Sequence, residues 1–264
     1  MASSTQTIVF EDRVVAFVDV LGFKSMALEA TSNYLARNKL ENLVNLLSSS
    51  IPFFDTNVSS SVPARLIPRH NYVSDSIILS APFHDSEMKF YSGLEVIVMR
   101  VIQLTHHLLN EGYLVRGGIA VGKVWHTQSN IVGPAYQEAF ALEHKGCAPC
   151  VVLSPSAEAM WTSIMRQQNE IFPDTPNRMC IRRKVLNKSR LSFREKEKFI
   201  VNGLHDSYIP NATSPGALEQ RYKHYRKVVD ANLRKQHSPE IKRKWRWFDS
   251  YLSKESQMAT HWAQ

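Results

Sequence analysis

Residues Val14–Phe23, "VVAFVDVLGF", hold six apolar residues in their first seven positions, with Asp19 two places short of a Leu-Gly-Phe turn. A Val- and Phe-rich run of this length, ended by a glycine turn, reads as a strand buried on both faces. A carboxylate at the end of such a strand is expensive to bury unless something compensates it. Two explanations are open at this point. Asp19 presents its side chain to a cation at the sheet edge, or it caps a helix that starts near Gly22.

Working outward, the apolar residues shift to helical spacing from Lys24 to about Leu47, with Asn33 and Asn38 as breakpoints. "SSSIPFFDTNVSSSVP" reads as a polar, proline-containing loop. "ARLIPRHNYVSDSIILSAPF" reads as two strands around a Val73–Ser76 turn that contains Asp75. Leu94, Ile97, Val98, Val101, Thr105 and Leu108 recur on one helical face, with His106 and His107 read as cap or surface residues. "YLVRGGIAVGKVWHT" is a strand whose glycines imply close approach of a backbone or a ligand. "GPAYQEAFALEHK" opens on proline and continues with helix formers; "CVVLS" is a short strand, and Ser154 or Ser156 caps the next helix. Strand-like pieces follow around Met179–Leu186 and Phe199–Leu204, then two helices from Pro215 to Ser253 separated by "HSP".

The order β-α-β-β-α-β-(β)-α-β predicts an α/β (α+β) protein with a split βαβ, ferredoxin-like core. A catalytic unit is expected over residues 1–210 and a basic helical extension over 211–264. Arg221–Arg246 carries ten Lys/Arg against Asp230 and Glu240, a local +8 equal to the net charge of the whole 264-residue chain. Tyr222, Tyr225, Val228, Val229 and Leu233 interrupt that run at near-helical spacing, so an amphipathic helix with a solvated cationic face is favoured over a nucleic-acid surface. No apolar run approaches the ~20 residues that span a bilayer. The N-terminus lacks the pattern of a signal peptide, and the three cysteines are too sparse for a disulfide framework. A cytoplasmic protein with no membrane partner is expected. Cys147 and Cys150 ("CAPC") read as structural residues rather than half of a zinc site.

Pairing of the first strand with the hairpin would bring Asp19 and Asp75 together. Two adjacent carboxylates repel unless protonated or bridged by a cation, and hard ions such as Mg²⁺ or Mn²⁺ suit that demand. The alternative, a helix cap and an ordinary turn former, stays open on spacing alone.

The segments "FVDVLGF", "YVSDSIILS", "RGGIAVGKV" and "VGPAYQEAFALE", in this order, resemble class III nucleotidyl cyclases, and in detail the Pycsar pyrimidine cyclases, bacterial anti-phage enzymes that make cyclic UMP or cyclic CMP. "KRKWRWFDSYL" is similar to the closing helix of those enzymes. The resemblance covers residues 13–155 well and 240–252 loosely. It implies two Mn²⁺ or Mg²⁺ ions held by Asp19, the Val20 carbonyl and Asp75, with the amides of Leu21, Gly22 and Phe23 facing a triphosphate. The implied reaction is attack of a ribose 3′-hydroxyl on the α-phosphate with loss of pyrophosphate. UTP is the favoured substrate and CTP the alternative, with a separate effector sensing the product. A homodimer with interfacial sites is implied, since the chain has one copy of each motif.

The sequence departs from the adenylate cyclase pattern in two places. The positions matching the adenine-reading Lys and Asp are Asn71 and Asn130, with Tyr72 alongside. The positions matching the transition-state Asn and Arg are Gln137 and Ala141, so a cation must come from elsewhere, with Lys145, Arg116 and Lys123 as candidates. That gap motivates a second reading, a catalytically silent domain that binds nucleotide or a partner.

Overall fold

The computed structural model describes residues 7–56, 58, 62–84, 92–145, 148–171, 178–188, 193–206 and 215–262. Strand β1 (Glu11–Val20) lies at the centre of the sheet. It pairs antiparallel with β3 (Ser76–Pro82) on one side and β4 (Val115–His126) on the other. Strand β2 (Arg69–Val73) flanks β3. The spatial order β2-β3-β1-β4 is the split βαβ arrangement, with α1 (Phe23–Ala30), α2 (Tyr34–Thr56) and α3 (Gly93–Asn110) as its crossovers. The sheet continues through β6 (Val151–Leu153), parallel to β4, and the antiparallel pair β8 (Phe193–Val201) and β7 (Cys180–Lys188). A two-residue strand, β5 (Ile131–Val132), folds back on the end of β4.

Alternation along β1 separates the two faces. Val14, Ala16, Val18 and Val20 join the main core with Leu43, Leu47 and Ile51 of α2, Ile97 and Val101 of α3, and Trp161 of α5 (Pro155–Ile171). Val15 and Phe17 face the other way and meet Ala135 and Ala139 of α4 (Pro134–Lys145). Gly118 lets α4 approach, because a Cβ there would lie 2.5 Å from the Ala139 carbonyl oxygen and from Leu142 Cβ.

The predicted elements are present, with informative differences. Helix α2 runs on through Pro52 to Thr56, where a loop is expected from the sequence. Ile51 and Phe54 are buried in the core, and Ser50 Oγ bonds back to the Leu46 carbonyl at 2.5 Å. Burial of that face outweighs the proline. Strand β8 starts at Phe193, earlier than its hydrophobicity indicates. Its charged residues pair in register with the charged edge strand β7, Glu197 opposite Lys184 and Lys198 opposite Arg183.

His106 is not at the surface. It is fully buried, with Nδ1 2.9 Å from Tyr225 Oη and Nε2 3.0 Å from the His205 carbonyl, and burial lowers its pKa to about 4. This contact fastens α6 (Pro215–Arg234) to α3. Helix α6 and α7 (Pro239–Trp262) pack by Tyr225, Val229, Trp245 and Phe248 against Leu109, Leu114 and Leu21. Arg226 pairs with Asp249 across the two helices. Among the described residues no helix is long and apolar enough to cross a membrane.

Replacing Gly118 by Val puts side-chain atoms where the α4 backbone runs. A loss of about 2–3 kcal/mol in unfolding free energy is expected, read as a lower denaturant midpoint at unchanged m-value.

Candidate active site

Register defines the site. Asp19 stands directly opposite Ser76 on β3 and Arg116 on β4, so the three side chains share a face. The next row is Phe17, Ile78 and Gly118, which α4 covers. Beyond the end of β1, Val20 donates its amide to the Asp75 carbonyl at 3.2 Å. This bond ties the hairpin turn to the strand end and sets the Asp75 carboxyl within hydrogen-bond reach of Asp19. Ser74, at φ +60°, provides the tight backbone of that turn.

Asp19 is 7% exposed, and its pKa rises to about 6. Burial is the largest cause and the neighbouring Asp75 the next; Arg116, whose Nε donates to Asp19 Oδ2 at 3.0 Å, pulls the other way. Ser76 Oγ adds a 3.3 Å hydrogen bond to Oδ1. The two acids carry oxygen donors only, and among the described residues no group of three or more His, Cys, Asp or Glu is arranged to hold a metal. A site with a carboxylate pair and open positions matches Mg²⁺ or Mn²⁺, which retain waters or phosphate oxygens in their shells. The repulsion between the two carboxylates, which helps raise the Asp19 pKa, is what such a cation relieves.

The turn after β1 does two jobs. Leu21 donates its amide to the Leu114 carbonyl at 2.9 Å, extending the β1–β4 ladder, and its side chain packs against the α6–α7 cluster. Its N–H is therefore committed, which corrects the expectation that it faces a triphosphate. Gly22, at φ +94°, is the N-cap of α1 and supplies no side-chain acceptor, so the first amides of the helix, beginning at Phe23, have no capping side chain.

A cleft of about 490 Å³ opens on the same face, lined by Asn71, Val73, Ile78, Gln128, Asn130 and Tyr136 among others. Asn71 is buried, and both of its amide hydrogens are taken. Its Nδ2 donates to the carbonyls of Thr127 (3.2 Å) and Gln128 (2.7 Å), so its Oδ1 accepts from His126 Nε2 at 2.5 Å. His126 Nδ1 then accepts from Ser80 Oγ at 2.6 Å, and Ser80 Oγ accepts from Arg13 Nε at 2.9 Å. Every donor in this chain has one direction, and burial holds His126 neutral, with its pKa lowered to about 4. Asn71 pins the 127–130 turn with both amide hydrogens, so toward the cleft it has only the second lone pair of Oδ1 to offer. Tyr72 also borders the cleft, while its half-buried side chain packs against the main core and burial pushes its phenol up to about 12. Asn130 lies exposed at the cleft rim.

The α4 positions Gln137 and Ala141 carry no cation. The side chain of Lys145 lies outside the described residues, as does Cys147. Lys123 pairs with Asp12 at 2.6 Å, at the opposite end of β4 from Asp19. Arg116 is the cation at the acid pair. It also meets Glu143 of α4, with Nε 2.5 Å from Oε1. Glu143 is missing from the sequence reading as a site residue, although its spacing from Ala135 and Ala139 puts it on the buried stripe of α4.

No protein-family model matches the chain, and no curated protein matches it. Among solved structures, the adenylyl cyclase CyaB from P. aeruginosa aligns over 74% of this chain and 96% of its own, at 14% identity and a TM-score of 0.48. The catalytic core of a rhodopsin-guanylyl cyclase with converted specificity, in complex with ATPαS, aligns over 74% and 98%, at 13% identity and a TM-score of 0.47.

The acid pair has a stability signature. Because Asp19 keeps its proton to a higher pH when folded than its ordinary value of 3.8, stability falls as pH rises from about 4 to 6, and the cost is complete above that. Asp19→Asn removes the charge and keeps the shape. Without metal at pH 7.5 it is expected to be more stable than the parent by about 1–2 kcal/mol, and Mn²⁺ is expected to raise the melting temperature of the parent alone. His126 has the opposite linkage. Its neutral form is favoured by folding, so stability is lost as pH falls from about 6.5 to 4, and His126→Gln is expected to flatten that part of a melting-temperature profile.

Proposed function

We propose that this chain is a divalent-metal-dependent nucleotidyl cyclase. The carrying observation is the meeting of Asp19 and Asp75, brought from separate segments by β-pairing, where burial first and the neighbouring Asp75 second raise the Asp19 pKa to about 6. Such a pair stays fully ionised at neutral pH only with added positive charge beside it. Asp19 and Asp75, with the Val20 carbonyl, would hold Mg²⁺ or Mn²⁺, and the bound ions would supply charge neutralisation and acidify a hydroxyl. The uncapped first turn of α1, behind Gly22, offers backbone N–H groups to phosphate oxygens. The adjacent cleft takes a base, with Asn130 at its rim. The reaction these parts suit is intramolecular attack of a ribose 3′-hydroxyl on the α-phosphorus of a nucleoside triphosphate: the P–O bond to pyrophosphate breaks as the 3′,5′-cyclic ester forms.

In its finer form the reading is a pyrimidine cyclase that converts UTP to cyclic UMP, with CTP as the runner-up. The motif order supports this branch, and so does the absence of the adenine-reading Lys and Asp. In this reading residues 1–210 are the catalytic unit and 211–264 the extension, and a second copy of the chain closes the α4 face, where Phe140, Val132 and Val73 are exposed. The product acts as an anti-phage messenger read by a separate effector. A silent nucleotide-binding domain is the second reading, favoured by the absence of a cation at Gln137 and Ala141.

Purified protein with Mn²⁺ and each of the four NTPs is expected to release pyrophosphate and form cyclic UMP, identified by mass. Asp19→Ala and Asp75→Ala are each expected to lower turnover by about 10³-fold or more. Nucleotide binding without pyrophosphate release from any NTP selects the silent reading.

A further inference from the structure

The transition state of phosphoryl transfer needs a cation near the phosphates, and α4 lacks one where the family pattern puts it. Arg116 reaches the same place from the sheet. Its side chain is 29% exposed, and its Nε is shared between Asp19 Oδ2 (3.0 Å) and Glu143 Oε1 (2.5 Å). A guanidinium has five N–H donors in a fixed fork. Here the Nε end faces the two carboxylates, while the four donors on Nη1 and Nη2 have no partner among the described residues. That is the geometry of an anchored arginine with its bidentate end unspent, which is what recognition of phosphate oxygens uses.

Glu143 explains how such an arginine stays in place. It is 2% exposed, and neither carboxylate oxygen takes a well-aligned hydrogen bond, so its buried charge depends on ion pairing with Arg116, with the exposed His144 ring also close by. A buried carboxylate left without its cation is strongly destabilising, so Glu143 holds Arg116 irrespective of what Asp19 does. Asp19 is the partner that can change allegiance. If it turns its oxygens to a metal, the guanidinium loses one anchor, keeps the other, and stays beside the metal site with its fork free. With all groups ionised, Asp19, Asp75, Glu143 and Arg116 sum to −2. One divalent ion neutralises the cluster, and a second makes it positive toward a polyphosphate.

We infer that Arg116 is the phosphate-binding cation that takes the place of the absent α4 arginine, and that Glu143 is the positioning residue that retains it when Asp19 engages metal. This rests on the cyclase reading for its role in turnover, but not for phosphate binding itself. The rival cation Lys123 is paired with Asp12 at the far end of β4, and Arg13 is bound to Ser80 and Glu11.

The test uses the full chain with Mn²⁺ and inorganic tripolyphosphate, followed by calorimetry, so that binding is read without turnover. Arg116→Ala is expected to weaken tripolyphosphate binding by about 10- to 100-fold, while Mn²⁺ affinity, from the electron paramagnetic resonance of the free ion, is unchanged or tighter. Low-millimolar guanidinium is expected to restore part of the loss in Arg116→Ala and none in Arg116→Ala/Glu143→Gln, a difference that a merely structural role for Glu143 does not produce. If Arg116→Ala does not fold, Arg116→Lys, which keeps the charge and loses the fork, serves the same comparison with a loss of about tenfold expected. Parent-like tripolyphosphate affinity in the folded Arg116 variant, or equal rescue with and without Glu143, overturns the inference. Failure of the cyclase reading looks different: the parent binds Mn²⁺ and tripolyphosphate, the Arg116 variant loses that binding, and no NTP yields pyrophosphate.

Discussion

The constraint on which the structure depends is the double antiparallel pairing of β1. One register aligns Asp19 with Ser76, the other aligns it with Arg116, and a shift of a single residue in either would turn the carboxylate toward the α2–α3 core. That core is strictly apolar along Val14, Ala16, Val18 and Val20, so the register is enforced by burial rather than by the site. The acid is held beside a second acid because the hydrophobic pattern leaves it nowhere else to go. Burial and like charge then act against the folded state, a local conflict of the kind that marks functional positions in otherwise consistent folds.

The two faces of the sheet divide the labour. The face toward α2, α3 and α5 carries the main apolar core, while among the described residues the other is covered over β1 and β4 by α4, docked closely through Gly118. Coverage by this helix leaves room for a cleft and for charged side chains at its margin. The Arg13–Ser80–His126–Asn71 chain uses the rest of that face to hold the 127–130 turn, and it does so with neutral or permanently charged groups whose hydrogen-bond directions are all determined. Such a fully satisfied network rigidifies the cleft wall without leaving donors unspent.

Periodicity and turn chemistry made most of the fold legible. Alternation and the Val-Phe run disclosed β1, the Val73–Ser76 turn disclosed the β2–β3 hairpin, and the i, i+3, i+4 stripe disclosed α3. What periodicity could not supply was tertiary burial overriding local signals: helix continuing through Pro52, a strand inside the charged 193–198 run, and a histidine in the core at 106. At the site, Asp19 and Asp75 were legible because a carboxylate after an apolar run and one in a turn are visible singly. Asn71 was legible only in part, because residue type says what an amide can do and not that both of its hydrogens are committed to the 127–130 turn. Arg116 was legible as a candidate cation, but its pairing with Glu143 was hidden for a related reason, since an ion pair between a strand and a helix exists only after both have packed.

Leu21 connects the turn after β1 to α6 and α7. It sits one residue before the glycine that opens α1, yet its side chain belongs to the cluster built by Tyr225, Val229, Trp245 and Phe248. The turn beside the acids is thus propped from behind by α6 and α7, through contacts between segments far apart in sequence. During synthesis the nascent protein can pair β1 with its neighbours well before α6 and α7 emerge, so the turn beside Asp19 gains its backing later than the strand that carries Asp19 gains its partners.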